Sequence, residues 1–384
     1  MRRTVKILEF ILFVALLGQC RDKYISPYTS PPTGYLVVEG YISGNSPTSF
    51  VLSRSIELPG DSALPYENNA NVQVEGSDNT IYPLPGQGNG VYADSVVFNP
   101  QLQYRLRIRT SAGAEYLSDF VPFRTTPAID SISAGLVSGG VEVYANTHDP
   151  MNATRYYQWK FVETWEYHSA EGSAYEYDST INQVVYRPPA DEIFTCWHTG
   201  PSTNILVGSS AKLAQDVIYQ QPLRLLPHAG VELSVLYSTL VSQYALTEDA
   251  YNYLGIMQKN SESFGSIFDA QPSQLKGNIH SLANPTEQVI GYVSAGTVQQ
   301  QRYFVDPARF PAWDYRYTCP GVDDSIVPID SLILRYSFYY GGLIPIIQHV
   351  NKMGIPDGWI ANARDCIDCR AQGGVTEKPS FWPY

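Results

Sequence analysis

Short runs of alternating apolar and polar residues, separated by turn residues, fill the chain from residue 35 to 126. The runs YLVVEGYI (35–42), SFVLSRSI (49–56) and QYRLRIRT (103–110) alternate largely with a period of two, which is the period of a strand with one buried face. Turn residues recur about every 8–12 residues, the spacing of sandwich folds. The pattern predicts a β-sandwich domain over residues 35–126.

This pattern is interrupted at RTTPAIDSI (124–132), where a proline follows two threonines. Longer strand-like runs follow at 139–150 and 154–169, and others continue through the remaining sequence. We therefore predict a second, larger β-rich domain over residues 127–384, which ends in a Gly- and Pro-containing loop pinned by a disulfide. The predicted fold class is mainly β, with one amphipathic helix.

The run at 154–169 places four aromatic side chains on one parity, namely Tyr157, Trp159, Phe161 and Trp165. A shared parity predicts one packed face of a sheet. The alternative is an aromatic surface that binds a sugar or a peptide, since tryptophan and tyrosine combine apolar area with a polar end. The candidate ligand-binding residues for that alternative are Trp159, Trp165, Trp197 and Trp313.

One helix is predicted, and it begins after Thr247. The threonine is a suitable N-cap, and Glu248 and Asp249 suit the positive N-terminal end of a helix. Apolar residues then recur at helical spacing, and Gly265 is a suitable end. The predicted core-facing residues are Ala250, Tyr253, Leu254, Met257 and Phe264.

The N-terminus has the pattern of an export signal. Basic residues precede an unbroken apolar run at 10–17, which is shorter than the roughly 20 residues of a membrane-spanning helix and fits a secretory signal. Cys20 follows as in a bacterial lipobox, although Gln19 replaces the usual small residue. We predict a signal peptide over 1–19, lipidation of Cys20 and a Pro/Ser/Thr-rich tether over 20–34. An ordinary secretory signal with an incidental cysteine is the alternative.

Removal of the signal peptide leaves an acidic chain. The sequence has 25 basic and 37 acidic residues, and residues 1–19 hold three of the basic and one of the acidic ones, so the remainder has a net charge of −14. Proteins that bind nucleic acids carry basic patches, so we expect no nucleic-acid partner. Anionic lipid headgroups match poorly as well. The predicted membrane contact is therefore through the lipid anchor alone.

Four cysteines remain after the signal peptide, namely Cys196, Cys319, Cys366 and Cys369. An even number in an exported chain predicts disulfides, with Cys319 bonded to Cys366 or Cys369 and Cys196 bonded to the other. The segment CIDC (366–369) also fits half of a zinc site or a redox motif. However, no histidine is spaced to complete the former, and no thioredoxin-like βαβ pattern surrounds the latter. We predict no metal and no cofactor.

Ser209 and Lys212 have the Ser-x-x-Lys spacing that penicillin-binding enzymes use to place a lysine beside a serine nucleophile. No convincing partner motif follows, and the segment lies between strand-like runs. The six histidines are scattered singly, and neither G-x-S-x-G nor H-E-x-x-H is present. We therefore predict a non-enzymatic protein. A secreted serine hydrolase that acts on glycan or peptidoglycan through these two residues is the alternative.

Asp-Ser followed by a small or aliphatic residue or threonine recurs six times along the chain. The pattern resembles an O-glycosylation sequence of Bacteroidetes, and it is also typical of turns and helix caps. The candidate acceptors are Ser62, Ser95, Ser131, Ser179, Ser325 and Ser331.

Several blocks together resemble a Bacteroidetes lipoprotein family known as domain-of-unknown-function family 4249. The most specific are FDAQPSQLKGNIH with NPTEQVIGY (268–292) and the tail DCRAQGGVTEKPSFW (368–382). The similarity spans nearly the whole chain after the signal peptide. It implies an outer-membrane lipoprotein that assists uptake through a TonB-dependent receptor, with no known catalytic residues. The region 35–126 also resembles Ig-like, transthyretin-type modules, which serve as spacers or docking units.

We therefore expect a non-enzymatic, lipid-anchored accessory or substrate-binding partner of a TonB-dependent transporter. It would lie at the outer membrane, and we favour the cell surface over the periplasm-facing side. A structural or adhesive surface protein is a further alternative, because it accounts for an acidic, β-rich chain without exposed tryptophans.

Overall fold

The computed structural model describes residues 34–56, 65–262, 275–310, 319 and 325–383. Strands form most of its regular structure, so the prediction of a mainly β fold is confirmed. The predicted signal peptide, Cys20 and nearly all of the predicted tether lie outside these residues.

The N-terminal unit is one long sheet whose two halves share a single core. Its strand order is β19-β8-β7-β9-β21-β1-β2-β6-β5, with β20 also beside β1, and with β3 paired to β4 and β7. The core draws on both halves of the sheet and includes Leu36, Phe50, Val74 and Leu106. The strands are β1 (Leu36–Ser43), β2 (Thr48–Arg54), β3 (Asn71–Gly76), β4 (Ile81–Leu84), β5 (Gly86–Gly88), β6 (Val91–Asp94), β7 (Gln103–Arg109), β8 (Glu115–Ser118), β9 (Val121–Arg124), β19 (Ile279–Ser281), β20 (Val289–Ile290) and β21 (Ala295–Gly296).

Three of these strands come from a distant part of the sequence. β20 and β21 run parallel to β1, and β19 is antiparallel to β8. The predicted first domain, 35–126, therefore omits three strands of its own sheet, and the predicted second domain, 127–384, contains them. Strands of two or three residues carry no periodic pattern of their own, so only their long-range pairing reveals them.

Two sheets face each other in the second unit. One has the order β10-β11-β17 and the other β15-β12-β18-β22, with β16 also paired to β12. Their strands are β10 (Ile129–Val137), β11 (Gly140–His148), β12 (Tyr156–His168), β15 (Thr195–Pro201), β16 (Leu206–Ser209), β17 (Val217–Pro227), β18 (Leu236–Ala245) and β22 (Val298–Val305). Tyr157 and Trp159 are fully buried between the sheets and Phe161 nearly so. The packed aromatic face predicted for this strand is confirmed.

A smaller sheet with the order β23-β25-β24 lies near the C-terminus, and a two-stranded ribbon packs against it. Its core contains Val327, Phe338 and Trp359. The strands of the sheet and ribbon are β13 (Tyr175–Asp178), β14 (Gln183–Tyr186), β23 (Ser325–Pro328), β24 (Leu343–Val350) and β25 (Pro356–Ala363).

Helix α1 (Glu248–Glu262) follows β18 and contacts β12 and β16. The side-chain oxygen of Thr247 accepts a hydrogen bond from the N–H of Ala250 at 3.2 Å, so the predicted N-cap is confirmed. Ala250 and Tyr253 are buried, as expected for the apolar face. Phe264 and Gly265 lie outside the described residues.

The other helical segments are short. They are α2 (Ser331–Leu334), which continues as a π-helical segment (Arg335–Tyr340), α3 (Arg364–Ile367) and the 3₁₀ turns Val231–Leu233, Pro307–Arg309 and Cys369–Gln372. Among the helices that the structure describes, none combines the length and the apolar character needed to cross a membrane.

Two disulfides attach the C-terminal segment to the rest of the protein. Cys196 is bonded to Cys369 and Cys319 to Cys366, with Cα–Cα distances of 5.7 and 5.5 Å. The prediction of two disulfides, with the CxxC cysteines in different bonds, is confirmed. Because both of these cysteines are bonded elsewhere, the segment 366–369 forms neither a zinc half-site nor a redox pair.

Beyond Cys369 the tail crosses the second unit. Val375 exchanges two backbone hydrogen bonds with Trp197, at 2.8 and 2.9 Å. Further along, Trp382 is 5% exposed, and its indole N–H donates to the buried carboxylate of Glu166 at 2.7 Å. The tail is therefore part of the packed structure.

Candidate binding cleft

A cleft of about 570 Å³ lies where the N-terminal unit meets the second unit. The N-terminal unit contributes β1 and residues 290–294, and the second unit contributes β12, β18 and α1. Junctions between structural units are a preferred place for ligand sites. The lining residues that matter most below are Tyr41, Lys160, Tyr244, Leu254, Met257 and Tyr292.

Lys160 reaches the cleft because side chains alternate along a strand. On β12, Trp159 and Phe161 point into the core between the two sheets, so Lys160 between them points to the opposite face. Its cross-strand partner on β18 is Ser242, which also lines the cleft. The outer face of this sheet therefore forms one side of the cleft.

The side-chain ammonium of Lys160 makes neither a hydrogen bond nor an ion pair with any residue that the structure describes. The side chain of Lys160 is exposed to solvent, yet many protein atoms surround it. Both hold for a side chain that projects into a concave space. Desolvation there lowers the pKa of Lys160 from its ordinary value, and the nearby charge of Glu39 opposes part of this change.

Four tyrosines are among the residues that line the cleft. Tyr41 of β1 meets Tyr244 of β18 edge-on, with ring centroids 4.9 Å apart, so the two units touch here. Tyr253 and Tyr292 form a second pair, with centroids 5.4 Å apart. Burial raises the pKa of Tyr41, Tyr244 and Tyr253 above the ordinary value. Their hydroxyls therefore stay neutral at physiological pH, and because those of Tyr41 and Tyr253 are buried, these two tyrosines offer the cleft ring surface rather than free hydroxyls.

A glycine allows the segment 290–294 to lie close against β1. Gly291 has a φ of +147°, and a Cβ at this position would lie 2.3 Å from the carbonyl oxygen of Val38. Any other residue would push the segment away from the strand. The N–H of Gly291 donates to the hydroxyl of Tyr253 at 2.8 Å, which ties this side of the cleft to α1.

The lining combines apolar and aromatic side chains with several polar ones, among them Gln158, Thr203 and Asn204, and small-molecule binding sites also combine the two kinds. It contains neither cysteine nor histidine among its described residues. Among all the residues that the structure describes, no group of three or more His, Cys, Asp or Glu side chains is placed to hold a metal ion. The arrangement can hold an apolar body against Leu254 and Met257 and orient it through Lys160.

Among the residues that the structure describes, the candidate tryptophans do not form a common surface. Trp159 is 0% and Trp197 8% exposed, while Trp165 is half-buried and stacks on His198 with centroids 4.4 Å apart. None of these three lines the cleft, and Trp313 lies outside the described residues. The ligand-binding prediction is wrong for Trp159 and Trp197, because both indoles are packed in the interior.

Ser209 and Lys212 do not share a helix face. Ser209 ends β16, and Lys212 lies in the turn that follows. The hydroxyl of Ser209 accepts a hydrogen bond from the N–H of Ala211 at 3.1 Å, which is an ordinary turn contact. Neither residue lines the cleft. The spacing therefore does not produce the arrangement that the Ser-x-x-Lys motif requires.

The Asp-Ser acceptors that the structure describes are all exposed, and they are Ser95, Ser131, Ser179, Ser325 and Ser331. One pair also has a structural role, because the carboxylate of Asp330 caps α2 by accepting from the N–H of Leu332 at 2.9 Å. Exposure allows modification but does not require it, so glycosylation stays a prediction. Ser62 lies outside the described residues.

The main cleft residue missed from the sequence is Lys160. The signal was a lone lysine in the middle of a 13-residue aromatic strand, Tyr156–His168. Lys160 alternates with the tryptophans along the strand, so it lies on the opposite face of the sheet. A lysine on that face indicates that the face is either solvated or part of a binding site. The residues of β1 and α1 that meet it are about 90 to 120 positions away in sequence, and no local pattern joins them.

Comparison with known proteins gives a family but no function. No curated protein matches the chain. Among solved structures, a Corynebacterium diphtheriae protein described as membrane anchored aligns with 57% of this chain and 56% of its own, at 11% identity and a TM-score of 0.17. This chain thus spans just over half of the length of the Corynebacterium protein, and a TM-score this low supports no conclusion about the fold or the function. The family model for a domain of unknown function, DUF4249, matches residues 22–302. The chain therefore belongs to the DUF4249 family.

Proposed function

We propose that the protein is a non-enzymatic lipoprotein of a bacterial outer membrane of the Bacteroidetes type, held there by a lipid on Cys20. It binds a small ligand in the cleft between its two β units and works as an accessory partner of a TonB-dependent transporter. The cleft carries this proposal. It is a concave junction lined by apolar and aromatic side chains, with a single cation that has no partner among the described residues.

The anchor is tested by metabolic labelling with a clickable fatty acid. We expect the wild-type protein to be labelled and Cys20→Ala to lose the label, because the cysteine thiol is the acyl acceptor of a lipobox. Protease treatment of intact cells then distinguishes the faces, and we expect the labelled protein to be cleaved. A wild-type protein that takes up no label would contradict the anchor, and with it the proposed attachment to the membrane.

The proposed partner needs a docking surface, and one end of the small C-terminal sheet offers an apolar one. The register places the end of β23 and the β24–β25 turn side by side, with Pro328 opposite Gly358 and Val350 opposite Pro356. Contiguous exposed apolar side chains mark interaction sites on monomeric proteins. We name this surface the apolar tip. Its residues, each at least 42% exposed, are Ile326, Ile329, Leu332, Ile333, Val350, Met353 and Ile355.

Substitution at the apolar tip should separate the protein from its transporter. We expect Leu332→Ser with Met353→Ser to reduce co-purification of the TonB-dependent receptor from solubilised outer membranes at least about tenfold, since central apolar anchors carry most interface energy. The matched control is Val97→Ser with Met151→Ser, which removes equally exposed apolar side chains elsewhere. Equal recovery of the receptor with both double variants would rule out the tip as the contact. Recovery of no receptor with the wild type would overturn the partner proposal itself.

A further inference from the structure

We propose that the cleft takes a small amphipathic ligand with one acidic group, and that Lys160 is the residue that pairs with this group. The proposal rests on the proposed function only in assuming that the cleft binds a ligand. It adds the chemical class of that ligand and names the residue that selects it.

The charges of the cleft are few and asymmetric. Lys160 and Glu39 are the only charged side chains among its described lining residues. They influence each other electrostatically, but no ion pair joins them. Elsewhere in the described chain, arginines such as Arg54, Arg105 and Arg224 are held by carboxylates at 2.7 to 3.0 Å. Lys160 has no anion in contact, as is also true of the other described lysines, but it is the only one of them that lines the cleft.

An unpaired ammonium in concave, partly apolar surroundings is unfavourable, because it loses hydration and gains no compensating bond. A ligand anion that reaches Lys160 would restore the lost interaction and make a charge-assisted hydrogen bond. Because Lys160 is itself exposed, water screens this bond in part, although the concave surroundings reduce that screening relative to a flat surface. The lysine therefore favours an acidic ligand over a neutral one of the same shape.

The remainder of the lining indicates an apolar ligand body. Leu254 and Met257 present the apolar face of α1 to the cleft, and Ile205 adds a further aliphatic side chain. The tyrosine rings offer flat apolar surfaces with polar ends. A ligand with an apolar or aromatic body and an acid at one end satisfies both parts of the lining.

Glu39 limits the number of acidic groups. It lies on β1, in the N-terminal unit, whereas Lys160 lies on β12 in the second unit. A second acid near Glu39 would be repelled, so a ligand with a single negative charge directed at Lys160 fits best. Removal of the Glu39 charge should therefore strengthen binding of an anion, whereas removal of the Lys160 charge should weaken it. A purely structural role of either residue would not give opposite signs.

A matched pair of fluorescent probes tests the proposal. 1-Anilinonaphthalene-8-sulfonate has the required apolar body and single acid, and N-phenyl-1-naphthylamine has the same body without the acid. The full chain after the signal peptide is used with Cys20→Ala, so that lipid and detergent add no binding sites. We expect Lys160→Met to weaken binding of the sulfonate about ten- to a hundredfold, the effect of losing one bond to a charged group. Binding of the neutral probe should stay within about twofold, because the aliphatic stem is preserved.

Two further variants separate the possible outcomes. Leu254→Trp, which fills the cleft, should weaken both probes, and Met353→Ser at the apolar tip should weaken neither. If both probes bind in the cleft and Lys160→Met changes neither, the acidic-ligand proposal is overturned while the cleft stands. If neither probe binds, or Leu254→Trp has no effect, the binding function of the cleft fails as well. Stronger sulfonate binding by Glu39→Gln completes the expected pattern, and weaker binding would contradict it.

Discussion

Replacement of Cys196 and Cys369 together by serine should lower the free energy of unfolding by about 3–5 kcal/mol. This disulfide joins residues 173 positions apart, and a cross-link that closes so long a loop removes about 5 kcal/mol of chain entropy from the unfolded state in the simplest model. Both cysteines are fully buried beside Tyr167, whose hydroxyl donates to the carbonyl of Cys369 at 2.8 Å. Loss of the bond therefore also loosens the contact between the tail and β15.

The second disulfide provides the comparison. Cys319 and Cys366 are 47 positions apart, for which the same model gives about 4 kcal/mol. Guanidinium denaturation of the two double-serine variants should therefore show large losses for both, with the larger loss for Cys196 and Cys369. A loss below about 1 kcal/mol for that pair would show that the tail is held by packing alone.

Trp382→Ala should lower the free energy of unfolding of the second unit by about 3–5 kcal/mol, the usual effect of truncating a buried tryptophan. The indole packs against Trp197, Leu236 and Phe304. The truncation also removes the hydrogen bond to Glu166, so that a carboxylate with only 9% exposure loses its indole donor.

Two further substitutions separate the contribution of packing to this loss of stability from that of the hydrogen bond. Trp382→Phe keeps most of the packing and loses the hydrogen bond, so we expect about 1–3 kcal/mol. Phe381→Ala is the matched control, because that ring is 37% exposed and its truncation should matter much less. Chemical denaturation followed by tyrosine and tryptophan fluorescence measures all three variants. If Trp382→Ala and Phe381→Ala lose the same small amount, the tail is not an anchored element.

Together these two contacts explain why the C-terminal segment behaves as part of the fold. The segment after Cys369 contains glycines and prolines and has no strand or helix of regular length. Its position depends on a covalent bond, two backbone hydrogen bonds to Trp197 and one buried indole. Sequence analysis predicted a loop pinned by a disulfide, but it assigned no role to Trp382.

What the sequence predicted correctly was set by local patterns. The alternation in β12 predicted a packed aromatic face, and Tyr157 and Trp159 are fully buried there. Thr247 followed by two acidic residues predicted the start of α1, because capping depends on a few adjacent residues. The even number of cysteines after the signal peptide predicted two disulfides, but the sequence did not decide whether Cys319 is bonded to Cys366 or to Cys369.

What it failed to predict depends on contacts between distant segments. Strands β19 to β21 are too short to show a period, and they are recognisable only beside β1 and β8. The cleft has the same origin, because Tyr41 and Tyr244 meet across about 200 residues of sequence. The tryptophans were alternative candidates for ligand contacts because of their chemistry, whereas the period-two pattern of β12 already predicted that Trp159 packs in a sheet face, and it is 0% exposed.

The methionines allow the central claim, that the cleft binds a small ligand, to be tested at named positions. The chain has four methionines, and removal of Met1 with the signal peptide leaves three. Met257 lines the cleft, whereas Met353 lies at the apolar tip and Met151 in a distant turn, 79% and 82% exposed. A protein labelled with ¹³C at the methionine methyl groups therefore reports separately on three sites.

The measurement is a titration of this labelled protein with N-phenyl-1-naphthylamine, followed by methyl NMR. Our account predicts that the ligand shifts the resonance of Met257 with saturable binding, while those of Met151 and Met353 remain in place. In the Leu254→Trp variant, the ligand should no longer shift the resonance of Met257. If the resonance of Met353 or Met151 shifts and that of Met257 does not, the cleft is not the binding site and the account is contradicted.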